Sequence, residues 1–74
     1  MNTRFTDLKH GDLFRHNGQS YVRIRLATYT NPDKNVTANC MDVDGYGWYI
    51  EYDDEVEYLG SLNDAAEQLQ HRYA

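Results

Sequence analysis

Asn17-Gly18 sits between two apolar runs, Leu13-Phe14 and the stretch that begins at Tyr21. A two-residue type I′ loop needs positive φ at both positions, and Asn-Gly adopts it at little cost, so the dipeptide predicts a tight β-hairpin. Its second arm alternates: Val22, Ile24 and Leu26 on one side, Tyr21, Arg23 and Arg25 on the other. The aliphatic set is the expected core face. Once this register is set, the chain is committed to antiparallel sheet.

The rest of the chain is punctuated in the same way. Phe5 and Leu8, three apart, suit one helical or 3₁₀ turn that pins the N-terminus on the core, and Gly11-Asp12 breaks it. The polar stretch Tyr29 to Asn35, with the single proline, reads as a loop. Val36 to Val43 reads as a strand with Val36, Ala38 and Cys40 on one face and Met41 and Val43 on the other. That pattern means either two covered faces or a bulge after Cys40. After the turn Asp44-Gly45-Tyr46-Gly47, Trp48, Ile50 and Tyr52 should point inward and Tyr49, Glu51 and Asp53 outward. Val56 with Tyr58 or Leu59 makes a last short strand. Ser61 can cap a helix whose stripe Leu62, Ala66, Leu69 and Tyr73 recurs at helical spacing.

These elements predict a mainly β fold, a small five-stranded antiparallel barrel over residues 1–60 with a C-terminal α-helix over 61–73. Closure is the usual cure for exposed edges in so small a sheet. Seventy-four residues make one domain. A core of this size rarely supplies more than about 3–5 kcal/mol without a staple. The one cysteine, Cys40, cannot staple the chain to itself, which points to a reducing compartment. With no apolar run of membrane length and no apolar N-terminal segment, the expected location is the cytoplasm.

Phe5-x-x-Leu8-x-x-Gly11-Asp12-x-Phe14, Gly18-x-x-Tyr21-Val22, Asn39-Cys40 and Asp54-Glu55-Val56 before Leu59 together resemble small SH3-like barrel proteins of bacteriophages and prophages. The resemblance spans residues 5–59 through turn and core positions. It implies the SH3-like barrel and a phage-type accessory role, in which a host factor is bound and inhibited.

Charge narrows the function classes. The net charge is −5. Residues 1–34 carry six Lys/Arg and three Asp/Glu, and residues 35–74 carry one Arg and nine Asp/Glu. An acidic chain is a poor general ligand for a phosphate backbone. The run from Asp42 to Tyr58 holds seven carboxylates and five aromatic residues and no Lys or Arg. Part of it follows calcium-loop spacing, Asp42, Asp44, Gly47 and Asp53, but position five is Tyr46 and the flanks read as strands, so the ligands would not converge. His10, His16 and Cys40 lack zinc spacing. Cys40, mid-strand on an apolar face, reads as structural rather than nucleophilic. The reading is therefore non-enzymatic and without metal or cofactor.

The expected work is binding of a protein with a basic surface, by occlusion or nucleic-acid mimicry, through Tyr46, Tyr49, Glu51, Asp53, Asp54, Glu55 and Glu57. Glu51 and Asp53 are expected to face outward beside Glu55 and Glu57 on adjacent strands, with counter-charges from Arg23 and Arg25 or from Lys/Arg elsewhere on the fold. One alternative is single-stranded nucleic acid stacked and clamped by Tyr21, Arg23 and Arg25. Another is a homodimer formed through Leu62, Ala66, Leu69 and Tyr73.

Overall fold

The computed structural model describes residues 2–62. The expected mainly β class holds. Six strands form one antiparallel sheet: β1 (Asn2–Arg4), β2 (Asp12–His16), β3 (Gln19–Asn31), β4 (Lys34–Asp42), β5 (Gly47–Trp48) and β6 (Glu55–Ser61). Their order is β1-β6-β2-β3-β4-β5. The hairpin is where Asn-Gly puts it. Asn17 and Gly18 have φ of 52° and 79°, and His16 faces Gln19 across the two-residue loop. The 3₁₀ turn Phe5–Asp7 buries Phe5 completely.

The closed five-stranded barrel is overturned. The sheet is open, with β1 and β5 as its two edges, and Asn2–Arg4 adds a sixth strand. The segment expected to supply a full strand from Trp48 to Tyr52 pairs only at Gly47 and Trp48, opposite Met41 and Cys40. Beyond that point the Asn39 side chain takes the backbone of Ile50: its amide donates to the Ile50 carbonyl at 2.8 Å and accepts from the Ile50 N–H at 2.9 Å. The Asp54 N–H then donates to the Glu51 carbonyl and the chain turns. A strand so shortened has no ladder left to offer β1. The edges are protected by being two and three residues long, not by closure. Ser61 ends β6 opposite Asp12. The expected helix over 61–73, with Ala66, Leu69 and Tyr73 of its stripe, otherwise lies outside the described residues.

The expected core face of β3 is also reversed. Phe14 is fully buried and stands opposite Tyr21, with the two rings stacked at 5.5 Å. Arg23 stands opposite buried Cys40, with its guanidinium 4.8 Å from the Phe5 ring centroid. Tyr21 and Arg23 are thus on the core side, while Val22 is half-buried on the other face and Leu26 is exposed. Register explains it: Phe14, flanked by polar Arg15, sets which face of the hairpin is inward, and Tyr21 follows Phe14. The core gathers Phe5, Leu8, Phe14, Cys40, Ile50 and Val56, with Tyr21 and Tyr52 against it. Phe5 meets Phe14 and Tyr52 edge-on, each at 5.4 Å.

Of the two alternatives for β4, both faces are partly covered at Cys40 and Met41, and the irregularity lies on the partner strand. Pairing lapses on β3 between Arg23 and Ala27, so Ile24, Arg25 and Leu26 stand opposite Asn39 alone. Such an excess bends the strand and increases its twist. The Arg23 guanidinium donates to the carbonyls of Ile24 and Asn39 in this gap. Past the bend, the far half of the β3–β4 hairpin meets β5. A Cβ on Gly47 would lie 2.8 Å from the Cβ of Ala38. Asn31 repeats there what Asn39 does at Ile50: its side-chain oxygen accepts the Gly47 N–H at 2.9 Å and its amide donates to the Gly47 carbonyl at 2.8 Å.

Two stability differences follow. Asn39→Leu leaves a buried N–H and C=O of Ile50 unpartnered, and each such group costs about 1–3 kcal/mol. That should consume most of the stability of so small a domain. Asn31→Ala, at a half-exposed site, should cost about 1 kcal/mol. Gly47→Ala should lose about 1–3 kcal/mol, because both clashing carbons are carried directly on backbone. Urea unfolding of the three variants checks the ranking, and equal losses for Asn39→Leu and Asn31→Ala would contradict it.

Candidate partner-binding surface

The turn after β4 is organised by one carboxylate. Asp42 Oδ1 accepts the N–H groups of Asp44 and Tyr46 at 2.9 and 3.0 Å, and Oδ2 accepts the Trp48 indole N–H at 2.8 Å. Gly45, at φ 88°, completes the reversal. The indole donor comes first among the causes that hold the Asp42 carboxyl below its ordinary value of 3.8; the backbone donors add to it and burial opposes. Asp42, the first residue of the partial calcium-loop spacing, is thus engaged by its own turn. Among the described residues, no three His, Cys, Asp or Glu side chains come together as metal ligands.

Trp48 is not inward. It stands opposite Cys40 at the open edge of the sheet, where no further strand among the described residues covers it, and it is 51% exposed. Tyr46 and Tyr49, expected on the surface, are 41% and 47% exposed. Tyr49 rests edge-on against Tyr52 at 6.1 Å, and Tyr52 packs on Phe5. Three half-exposed aromatic side chains therefore lie within four residues, one held by Asp42 and one supported on the core. The signal for Trp48 was present in Asp42-Val43-Asp44-Gly45: a carboxylate heading a tight turn can reach a donor just beyond it.

The carboxylates do not form one field on adjacent strands, because β6 and β5 lie at separate places in the strand order. Glu51 and Asp53 are exposed on the irregular connection between β5 and β6. Asp54 and Glu57 are half-buried and have partners: the His16 ring is 3.4 Å from Asp54, and the Arg15 guanidinium is 3.3 Å from Glu57. Glu55 stands opposite Arg4 in the β1–β6 pairing. Of the counter-charges expected from Arg23 and Arg25 or from cations elsewhere on the fold, the structure shows Arg15 of β2. Arg23 is held inside by carbonyls and rings, and Arg25 is exposed in the lapse of pairing.

The same placement separates the residues expected to clamp nucleic acid. Tyr21 stacks on Phe14, Arg23 packs over Phe5, and Arg25 points from the irregular stretch of β3 as an exposed residue. Cys40 is fully buried; burial pushes its thiol up to about 12 against the pull of Arg23, so it stays protonated at neutral pH. Its S–H faces the Trp48 carbonyl at 3.5 Å. No helix among the described residues is long and apolar enough to cross a membrane.

The Asp42–Trp48 bond gives a pH signature. The folded-state pKa is depressed, so this contribution to stability is complete above the ordinary carboxylate value and is lost as pH falls through the folded one. The fluorescence of Trp48, the single tryptophan, should change with a midpoint below 3.8. Asp42→Ala should abolish that step while far-ultraviolet circular dichroism stays native. A midpoint above the ordinary value would show that the indole donates elsewhere.

Comparison of the chain with protein-family models, with curated proteins and with solved structures gives no match.

Proposed function

We propose that this protein is a non-catalytic binding module that docks a protein partner with a basic surface. The contact is made by Tyr46, Trp48 and Tyr49 together with Glu51 and Asp53. One observation carries the reading: three half-exposed aromatic side chains lie on the same stretch of chain as Glu51 and Asp53, carboxylates that no cation pairs among the described residues. A preoriented Trp or Tyr contributes large contact area with little side-chain entropy to lose, which is why such residues dominate interface energetics. Free carboxylates beside them select a cationic partner and accelerate encounter.

The support differs from the alternation on neighbouring strands that the sequence suggests. With Trp48 outward and Asp54 and Glu57 paired, the surface is narrower than the full set of acids. It centres on the segment from Tyr46 to Asp53, with Asp54, Glu55 and Glu57 at its rim. Mimicry of a nucleic-acid backbone, or inhibition of a host factor by occlusion, are forms this binding takes if the partner is itself a nucleic-acid-binding protein.

The test is retention of proteins from a bacterial lysate on the immobilised full chain. Wild type should hold a partner whose retention falls between low and high salt, because exposed charge is screened. Trp48→Ala with Tyr49→Ala should lose at least tenfold, as hot-spot truncations of about 2 kcal/mol do. Glu51→Gln with Asp53→Asn should mainly flatten the salt dependence. Retention indifferent to the aromatic pair and to salt defeats the proposal.

A further inference from the structure

The core face of the sheet is not covered along its whole length by the described residues. Phe14 and Val56 are buried on it. Tyr58, opposite Phe14 and two residues beyond Val56, shares that face, yet it is 37% exposed. The 3₁₀ turn and buried Leu8, whose N–H donates to the Phe5 carbonyl at 3.0 Å, lie over the neighbouring part of the face. Beside them is a groove of about 260 Å³ lined by Thr3, Asp7, Leu8, Asp12 and Tyr58. None of these residues belongs to the segment from Tyr46 to Asp53.

The lining joins two kinds of surface. Leu8 and the Tyr58 ring offer carbon. Asp7, exposed at the end of the 3₁₀ turn, and Asp12, half-buried at the start of β2, bring carboxylates. Asp12 is oriented by a reciprocal pair of bonds. The Lys9 N–H donates to its Oδ2 at 2.7 Å, and the Asp12 N–H donates to the Lys9 carbonyl at 3.0 Å. Among the described residues, no Lys, Arg or His side chain is within ion-pair distance of either carboxylate. A carbon floor beside two unmatched anions is complementary to a side chain with an apolar stem and a cationic head. The groove is smaller than the roughly 300–1,000 Å³ of small-molecule sites, so it admits one side chain rather than a whole ligand.

We propose that this groove seats an arginine side chain of a partner polypeptide, its stem on Leu8 and its guanidinium over Tyr58 beside Asp7 and Asp12. A guanidinium is planar, so it can lie on a ring and still donate in its own plane to carboxylates, which the ammonium of a lysine cannot do. The fold uses the first half of this chemistry internally: the Arg23 guanidinium lies over the Phe5 and Tyr52 rings at 4.8 and 5.7 Å from their centroids. The site is separate from the aromatic segment and stands whether or not that segment binds.

The probe is the peptide acetyl-Gly-Gly-Arg-Gly-Gly-amide, titrated into the ¹⁵N-labelled full chain. The amide resonances of Thr3, Leu8 and Tyr58 should shift and saturate. The same peptide with citrulline for arginine keeps the shape without the charge. It should bind about tenfold more weakly, the loss expected for one hydrogen bond between charged groups. Asp7→Asn with Asp12→Asn keeps the oxygen that accepts the Lys9 N–H and should weaken the arginine peptide by about the same factor. Asp33→Asn with Asp44→Asn removes equal charge from two exposed turn positions and should bind as wild type. Absence of shifts at Thr3, Leu8 and Tyr58 overturns the proposal, and so does equal binding of the citrulline peptide. Equal losses from the two pairs of substitutions overturn it by showing only general charge attraction. Shifts confined to Tyr46–Asp53 overturn it by placing the arginine on the aromatic segment. Resonances of the groove that move on dilution without peptide overturn it in favour of a second copy.

Discussion

The structure turns on the place where β3 and β4 fall out of register. Three residues of β3 stand opposite Asn39, and a lapse of that size exposes backbone groups that a sheet would otherwise pair. Two polar side chains make it tenable. The Arg23 guanidinium donates to the carbonyls left in the gap, with its charge spread over the faces of Phe5 and Tyr52 rather than matched to a carboxylate. Asn39, fully buried, spends both ends of its amide on Ile50. Arg23 lets the hairpin bend, and Asn39 holds the chain that the bend brings close.

From that pair follows the position of the candidate surface. Because the Asn39 side-chain amide rather than a neighbouring strand holds Ile50, β5 ends after two residues and the chain from Tyr49 to Asp54 is irregular. Irregular backbone carries no obligation to alternate, so Tyr46, Trp48 and Tyr49 can all remain at the surface while Ile50 is buried and Tyr52 packs on the core. A regular strand would have turned Trp48 and Tyr49 to opposite faces. The open edge and the aromatic cluster are thus one feature seen twice.

Much of this was legible residue by residue. Asn17-Gly18 marked the hairpin because few other pairs accept its backbone. Phe5 and Leu8 marked the N-terminal turn, and Gly45 marked the reversal after β4. What misled was alternation used by itself. Val22, Ile24 and Leu26 are the most apolar set on β3, yet Phe14 across the hairpin decides which face is inward, and it selects Tyr21 and Arg23. The acids were legible as acids, but their partners were not: Arg15 lies 3.3 Å from Glu57 and His16 3.4 Å from Asp54, each dozens of residues away in sequence. Gly47 is required by the approach of Ala38, a reason with no local trace.

The sequence by itself determined the class of fold, the hairpin and its register, the turn headed by Asp42, and a surface rich in acid and tyrosine. Those are consequences of backbone preference and near-neighbour hydrogen bonding, which act over a few residues. Only the tertiary structure decided that the sheet stays open, that an arginine lies within and a tryptophan without, and which acids meet a partner from another strand. Each of those depends on which strand lies beside which, and strand order arises from the bend at Asn39, where groups far apart along the chain satisfy one another or go unsatisfied.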